Sequence, residues 1–449
     1  MSFRREFADK VAEIRRQALD HFQDFGLVRP GSRESIAHLS GDNTRVAPDV
    51  EMDQVSLERL QSRLDRILSD LDMFEIRVEQ YRDLDREDLR DLRRKLCRRD
   101  ISHLGGGNWG VSMGPAPDTI ERPDNVTDRI NIAAYRYVVP AADPPSMQAQ
   151  PLWEGAAAEA FNSGFLLPFQ NVAAWQIFAG VYLGNVLQIL ENVVKGVQDD
   201  LLAIADAVIN AFNDDVDHPL GASLSDGALF TDLIGFVLPE PLGTLTDVGS
   251  VSLDLLSRQV TDPDPPEWIV QWNLFTEDII ADGFSLLDQL EERILAKDQA
   301  LGAAIDADSA SWDFRMVGAT PDPPDRIDQV LVADILSIYE IGKRVLPSAA
   351  DLYQEAALKV HLCDLPDWFN RPFTICWSYY ESARQALHAG LNQSTEHLLN
   401  AGQALVDICN GYEFQDAATA AEFESFKEAL PPPEDLTPMR GRGSRAHPS

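Results

Sequence analysis

The chain has 449 residues, 45% of them hydrophobic and 25% charged, the composition of a soluble globular protein with room for about two or three domains. Seventy-three acidic residues against 38 basic ones leave a net charge of −35, which argues against nucleic acid or anionic lipid binding over the whole surface, because phosphates are repelled. Four cysteines without a Cys-x-x-Cys pair argue against a disulfide scaffold and against a structural metal site.

The first residues, MSFRREFADKVAEIRR, are charged throughout and lack an apolar signal core, so no cleavable signal peptide is expected. Phe3, Phe7, Val11 and Ile14 lie at helical spacing, and residues 1–48 read as an N-terminal helix and a linker. From Leu57 through Leu60, Leu64, Ile67, Leu71, Phe74 and Val78 to Tyr81 the apolar steps alternate between three and four. That heptad stripe belongs to a long helix packed on others at a shallow angle, and EDLRDLRRKLCRRD is a charged extension of it. GGGNWG then breaks the pattern, and residues 102–152 read as an irregular, Pro- and Asp-rich insertion.

Beyond Trp153 a second stripe runs from Tyr182 to Phe212, closing a helical unit over 49–215. Between Glu159 and Glu191 there is no charge, a length that could span a bilayer. Pro168 and the amides Asn162, Gln170, Asn171, Gln176, Asn185 and Gln188 favour a buried bundle helix over a membrane segment, since unpartnered amides are costly in hydrocarbon. Residues 216–325 read as a Gly/Pro/Asp-rich connection holding one helix, from Trp272 past Ile294. A second hairpin fills 326–430: one helix with a kink at Pro347, a turn in CDLPDWFNRPFTIC, and a helix marked by Trp377, Tyr380, Leu387, Leu391, Leu398, Leu405 and Tyr412. Residues 431–449 have the composition of a disordered tail. The expected fold is all-α, an elongated bundle of antiparallel helical hairpins with long irregular connections.

Two short patterns stand out. LWEGAAAEAF carries Trp153 and Gly155 just before a helix start, and GYEFQDAATAAEF carries Tyr412 and Asp416 four apart, on one helical face. The arrangement resembles the export signal of type VII secretion substrates, the WxG-motif superfamily that includes the PE and PPE proteins. There, a Trp-x-Gly turn on one hairpin lies beside a Tyr-x-x-x-Asp/Glu on the other. The resemblance implies a non-enzymatic protein, secreted or held at the cell surface without a cleaved leader and cytoplasmic before export. Its implied partners are a secretion ATPase and a dedicated chaperone, with homo-oligomer formation left open. The chain departs from the family in three ways. A long segment separates the heptad helix from the WxG turn, Trp377 lacks a Gly two residues on, and the Tyr-x-x-x-Asp follows the WxG. A cytoplasmic interaction or scaffold protein, and a membrane-active effector, are the alternative readings.

No catalytic pattern appears: there is no GxSxG, HExxH or P-loop, and no cofactor or metal is expected. His388 and His397 are too far apart on one helix to share a ligand, and the pairs Asp199-Asp200 and Asp214-Asp215 read as solvated helix ends. Cys363 and Cys376 flank the second hairpin's turn. They are expected either to bridge after export or to remain as two buried thiols.

Overall fold

The computed structural model describes residues 3–25, 39–40, 45–46, 54–97, 124–138, 160–213, 220–221, 267–273, 275–316 and 335–412. The described residues are all-α, apart from two antiparallel bridges of two residues per strand, Leu39–Ser40 with Arg45–Val46 and Leu220–Gly221 with Glu267–Trp268.

The helices in chain order are α1 (Phe3–Phe25), α2 (Gln54–Glu79), α3 (Arg86–Leu96), α4 (Val126–Asn131), α5 (Leu167–Phe212), α6 (Thr276–Ser309), α7 (Ile335–Glu340), α8 (Leu346–His361), α9 (Asp367–Asn370) and α10 (Thr374–Tyr412). Among the described residues three π-helical turns accompany them: Ile132–Val138 after α4, Asn162–Leu166 before α5 and Ile341–Val345 before α8. The last two each end one residue short of a Leu-Pro pair. Proline has no N–H, and its ring crowds the carbonyl four residues back. A wider turn resolves this: Leu167 N–H donates to Asn162 O and Leu346 N–H to Ile341 O, so the helical path continues across Pro168 and Pro347.

One hydrophobic core runs through the bundle, from Phe7 and Ile14 of α1 to Leu405 and Cys409 of α10. At its centre is α5, 46 residues long, whose apolar positions occur all round the helix rather than on one stripe. That pattern belongs to a helix surrounded by others. The stretch Asn162–Phe212 has the hydropathy and length to cross a membrane, yet 83% of its most apolar window is buried inside the fold. Gln176 and Asn185 are buried with it, and Gln176 Nε2 donates to Ser394 Oγ at 2.9 Å.

The heptad helix ends at Glu79, and EDLRDLRRKL forms a separate helix because Asp85 caps it, its carboxylate accepting Glu87 N–H at 2.9 Å. α3, not α2, is bound along α5: Glu191 of α5, 6% exposed, meets Arg90 at 2.6 Å, Arg86 at 3.4 Å and Arg93 at 3.7 Å. α2 is clamped instead to α6, through Arg63–Glu277 at 2.7 Å and Arg77–Glu291 at 2.8 Å. The described helices of 49–215 therefore do not pack only on one another. Nor is 102–152 irregular throughout, since α4 and its π turn put Val126, Ile130, Ala133 and Ala134 into the core.

Candidate functional site

Contacts at several levels fix the helix directions. Tyr182 donates to Asp308 at 2.8 Å, while Val208 lies against Gly283, so α5 and α6 run antiparallel. Asp298 reaches the start of α10 and Phe314, just past α6, packs on Gly390, so α6 and α10 run parallel. It follows that α5 and α10 are antiparallel, pinned by Gln176–Ser394. α8 is also antiparallel to α10: Gly342, in the π turn leading into it, faces Gly402, and Val360 O accepts from Arg384 at 3.1 Å.

These directions gather the start of α5, the start of α8 and the end of α10 at one end of the bundle. Cys409 Sγ contacts Ile335 O at 3.6 Å there. The π turn after α4 arrives at the same level, with Tyr137 and Leu352 packed against Ile132. Inside this end is an aromatic ladder. Ring centroids are 5.2 Å apart for Phe161–Phe165, 5.5 Å for Phe165–Phe169 and 5.7 Å for Phe169–Tyr353. Burial drives the Tyr353 hydroxyl far above the usual phenol range, and pushes Tyr135 up to about 12. Both phenols are neutral packing groups. Leu167 is half exposed on the outside of this end.

Of the residues expected to form an export signal, Trp153, Gly155 and Asp416 lie outside the described residues. Tyr412 is the last residue of α10, and its side chain is outside them as well. Described chain begins at Ala160, shortly after Gly155. Asp214-Asp215 and the 431–449 tail are likewise outside. Asp200, expected at a solvated helix end, is fully buried and accepts the Trp268 indole N–H at 3.2 Å.

Cys363 and Cys376 are not bridged in this structure. All four cysteines are buried, and none is in a disulfide. The two sulfurs are occupied on different helices: Cys363 Sγ contacts Lys359 O at 3.1 Å, and Cys376 Sγ contacts Asp298 O at 3.2 Å.

The buried carboxylates join helices. Asp298, 2% exposed, accepts the backbone N–H groups of Ile375 at 3.0 Å and Cys376 at 2.7 Å, capping α10 from another helix. Glu381 accepts from Leu365 N–H at 3.1 Å and from Arg384 at 2.6 Å; Arg384 also pairs with Asp364 and bonds the carbonyls of Val360 and His361. Spacing along the chain could not reveal the Asp298 cap, because its partners are separated in sequence by an entire hairpin arm. A shallow groove between α2 and α6 is lined by Asp70, Met73, Arg77, Glu277 and Phe284, with no convergent set of reactive groups. Among the described residues no three His, Cys, Asp or Glu side chains are grouped to hold a metal.

No protein-family model, no curated protein and no solved structure matches this chain.

Proposed function

We propose that this chain is a non-enzymatic helical interaction protein, and that it binds partners through the end where α5 and α8 start and α10 stops. The observation that carries the reading is the antiparallel run of α5 and α10, which gathers three helix termini and two Leu-Pro π turns in one place. π turns concentrate at working surfaces because they widen the helix locally. The buried ionisable groups support the same reading, since Asp200, Asp298, Glu191 and Glu381 each tie one element to another. Site-specific photocrosslinking tests it. A probe at Leu167 should give a discrete product in cells where the same probe at Met73 gives none; no product at Leu167 rejects the binding end.

A second, narrower reading is export by a type VII system, with Trp153, Gly155, Tyr412 and Asp416 as the composite signal. The helix that follows Gly155 starts at the end where the helix carrying Tyr412 stops, which favours a compact patch of the family's kind. A secretion ATPase and a chaperone are then the partners. Tyr412→Ala and Asp416→Ala should each remove the protein from culture filtrate while far-UV circular dichroism is unchanged. Normal secretion of both variants, or equal filtrate levels with and without the secretion system, rejects export and leaves the cytoplasmic scaffold. Membrane insertion is disfavoured, because the most apolar helix is the core's centre and exposing it would unfold the bundle.

A further inference from the structure

We propose that His361 and His388 form a site for one divalent transition cation of the zinc, nickel or copper class, at the turn end of the α8–α10 hairpin. His361 is the last residue of α8, His388 lies on α10, and their ring centroids are 5.6 Å apart. An imidazole nitrogen binds such an ion at about 2.0–2.1 Å, which puts the centroids of two rings on one ion roughly 5 to 6.5 Å apart at tetrahedral or wider angles. The two rings therefore stand close to ligating separation without any helix movement.

The framework around them is fixed. Arg384, one turn before His388, donates to Val360 O and to His361 O at 3.1 and 3.0 Å, locking the last turn of α8 to α10. One turn beyond, the Asn392 amide nitrogen lies 3.3 Å from His388 Nε2; when an ion binds at Nδ1 the amide turns over so that its oxygen accepts the Nε2–H, the outer-shell role that orients ligating imidazoles. The Arg384 charge beside the site is countered by Glu381 at 2.6 Å and by Asp364. The chain's net charge of −35 raises the local concentration of cations.

The protein thus supplies two nitrogens and water completes the coordination, giving an exchangeable ion rather than a closed structural site. Bound there, the ion links the end of α8 to α10 and stabilises the folded chain by mass action.

The test uses tag-free full-length protein titrated with ZnCl2 at about pH 7.5, by calorimetry and thermal melting. One zinc per chain should bind and raise Tm, with MgCl2 inert. His361→Gln and His388→Gln should each weaken binding by about tenfold or more, the scale on which even supporting groups act. His397→Gln should not weaken it. Absence of saturable zinc binding, or unchanged binding in the doubly substituted chain with native circular dichroism, overturns the site.

Discussion

Gly342 and Gly402 meet backbone to backbone: a Cβ on either one would lie 2.7 Å from the carbonyl oxygen of the other. This approach holds the start of α8 against α10. A glycine inside a helix ordinarily costs about 1 kcal/mol relative to alanine. Here the sign reverses, because a backbone oxygen cannot rotate away as a side chain can. Gly402→Ala should lower stability by about 1–3 kcal/mol, the usual cost of overpacking. Urea denaturation checks it; an increased midpoint would show that the two helices separate freely.

Removing the Asp298 carboxylate leaves two N–H groups of α10 without their acceptor in a buried place. Asp298→Ala should cost about 2 kcal/mol or more, the upper range for a lost cap plus an unmet buried donor. Asp298→Asn keeps one acceptor oxygen and should cost less. Equal stability of wild type and Asp298→Ala in chemical denaturation would show that α10 needs no cap.

The His388 imidazole faces burial, His361 and Arg384, all of which disfavour its proton. Its folded pKa lies below the unfolded value of about 6.5, so the unfolded chain binds more protons as pH falls. The stability tied to this group is complete above that unfolded value and is lost as pH drops through the folded one. Denaturant midpoints of wild type, measured without metal, should fall more steeply between about pH 7 and 5 than those of His388→Gln. Identical slopes would remove His388 from the linkage.

Burial raises the thiols of Cys97 to about 11 and Cys363 to about 12, and raises Cys376 further, with Asp298 adding to the effect. Thiolate is the reactive form. Reaction with a disulfide reagent at neutral pH should therefore be slow in the native protein, and four thiols should titrate in denaturant. Fewer than four thiols under non-reducing denaturation would mean that a bridge forms in solution.

Helix periodicity carried most of the fold. The stripe from Leu57 reads α2, the stripe around Tyr182 to Phe212 reads most of α5, and CDLPDWFNRPFTIC reads the hairpin turn. Partners were less legible. Nothing in the spacing of Arg86, Arg90 and Arg93 reveals that they converge on Glu191, and nothing on α10 alone points His388 toward His361. Such pairings depend on which helices become neighbours, a tertiary property that a local repeat cannot encode. The break before α3 was visible in principle, because Asp85 precedes Arg86 as a capping residue, but the continuing leucines masked it. The Trp153, Gly155 and Asp416 pattern falls outside the described residues, and at Tyr412 only the backbone is described.

The directions of the long helices have a mechanical consequence. α10 is 39 residues long, roughly 60 Å at ~1.5 Å rise, with α8 antiparallel and α6 parallel beside it. A force applied at Tyr412 along the helix axis loads the contacts with α5, α6 and α8 in shear. Gln176–Ser394, the Asp298 cap and the Gly342–Gly402 contact then resist together instead of opening one after another. A pull on this end meets a strut rather than a zipper.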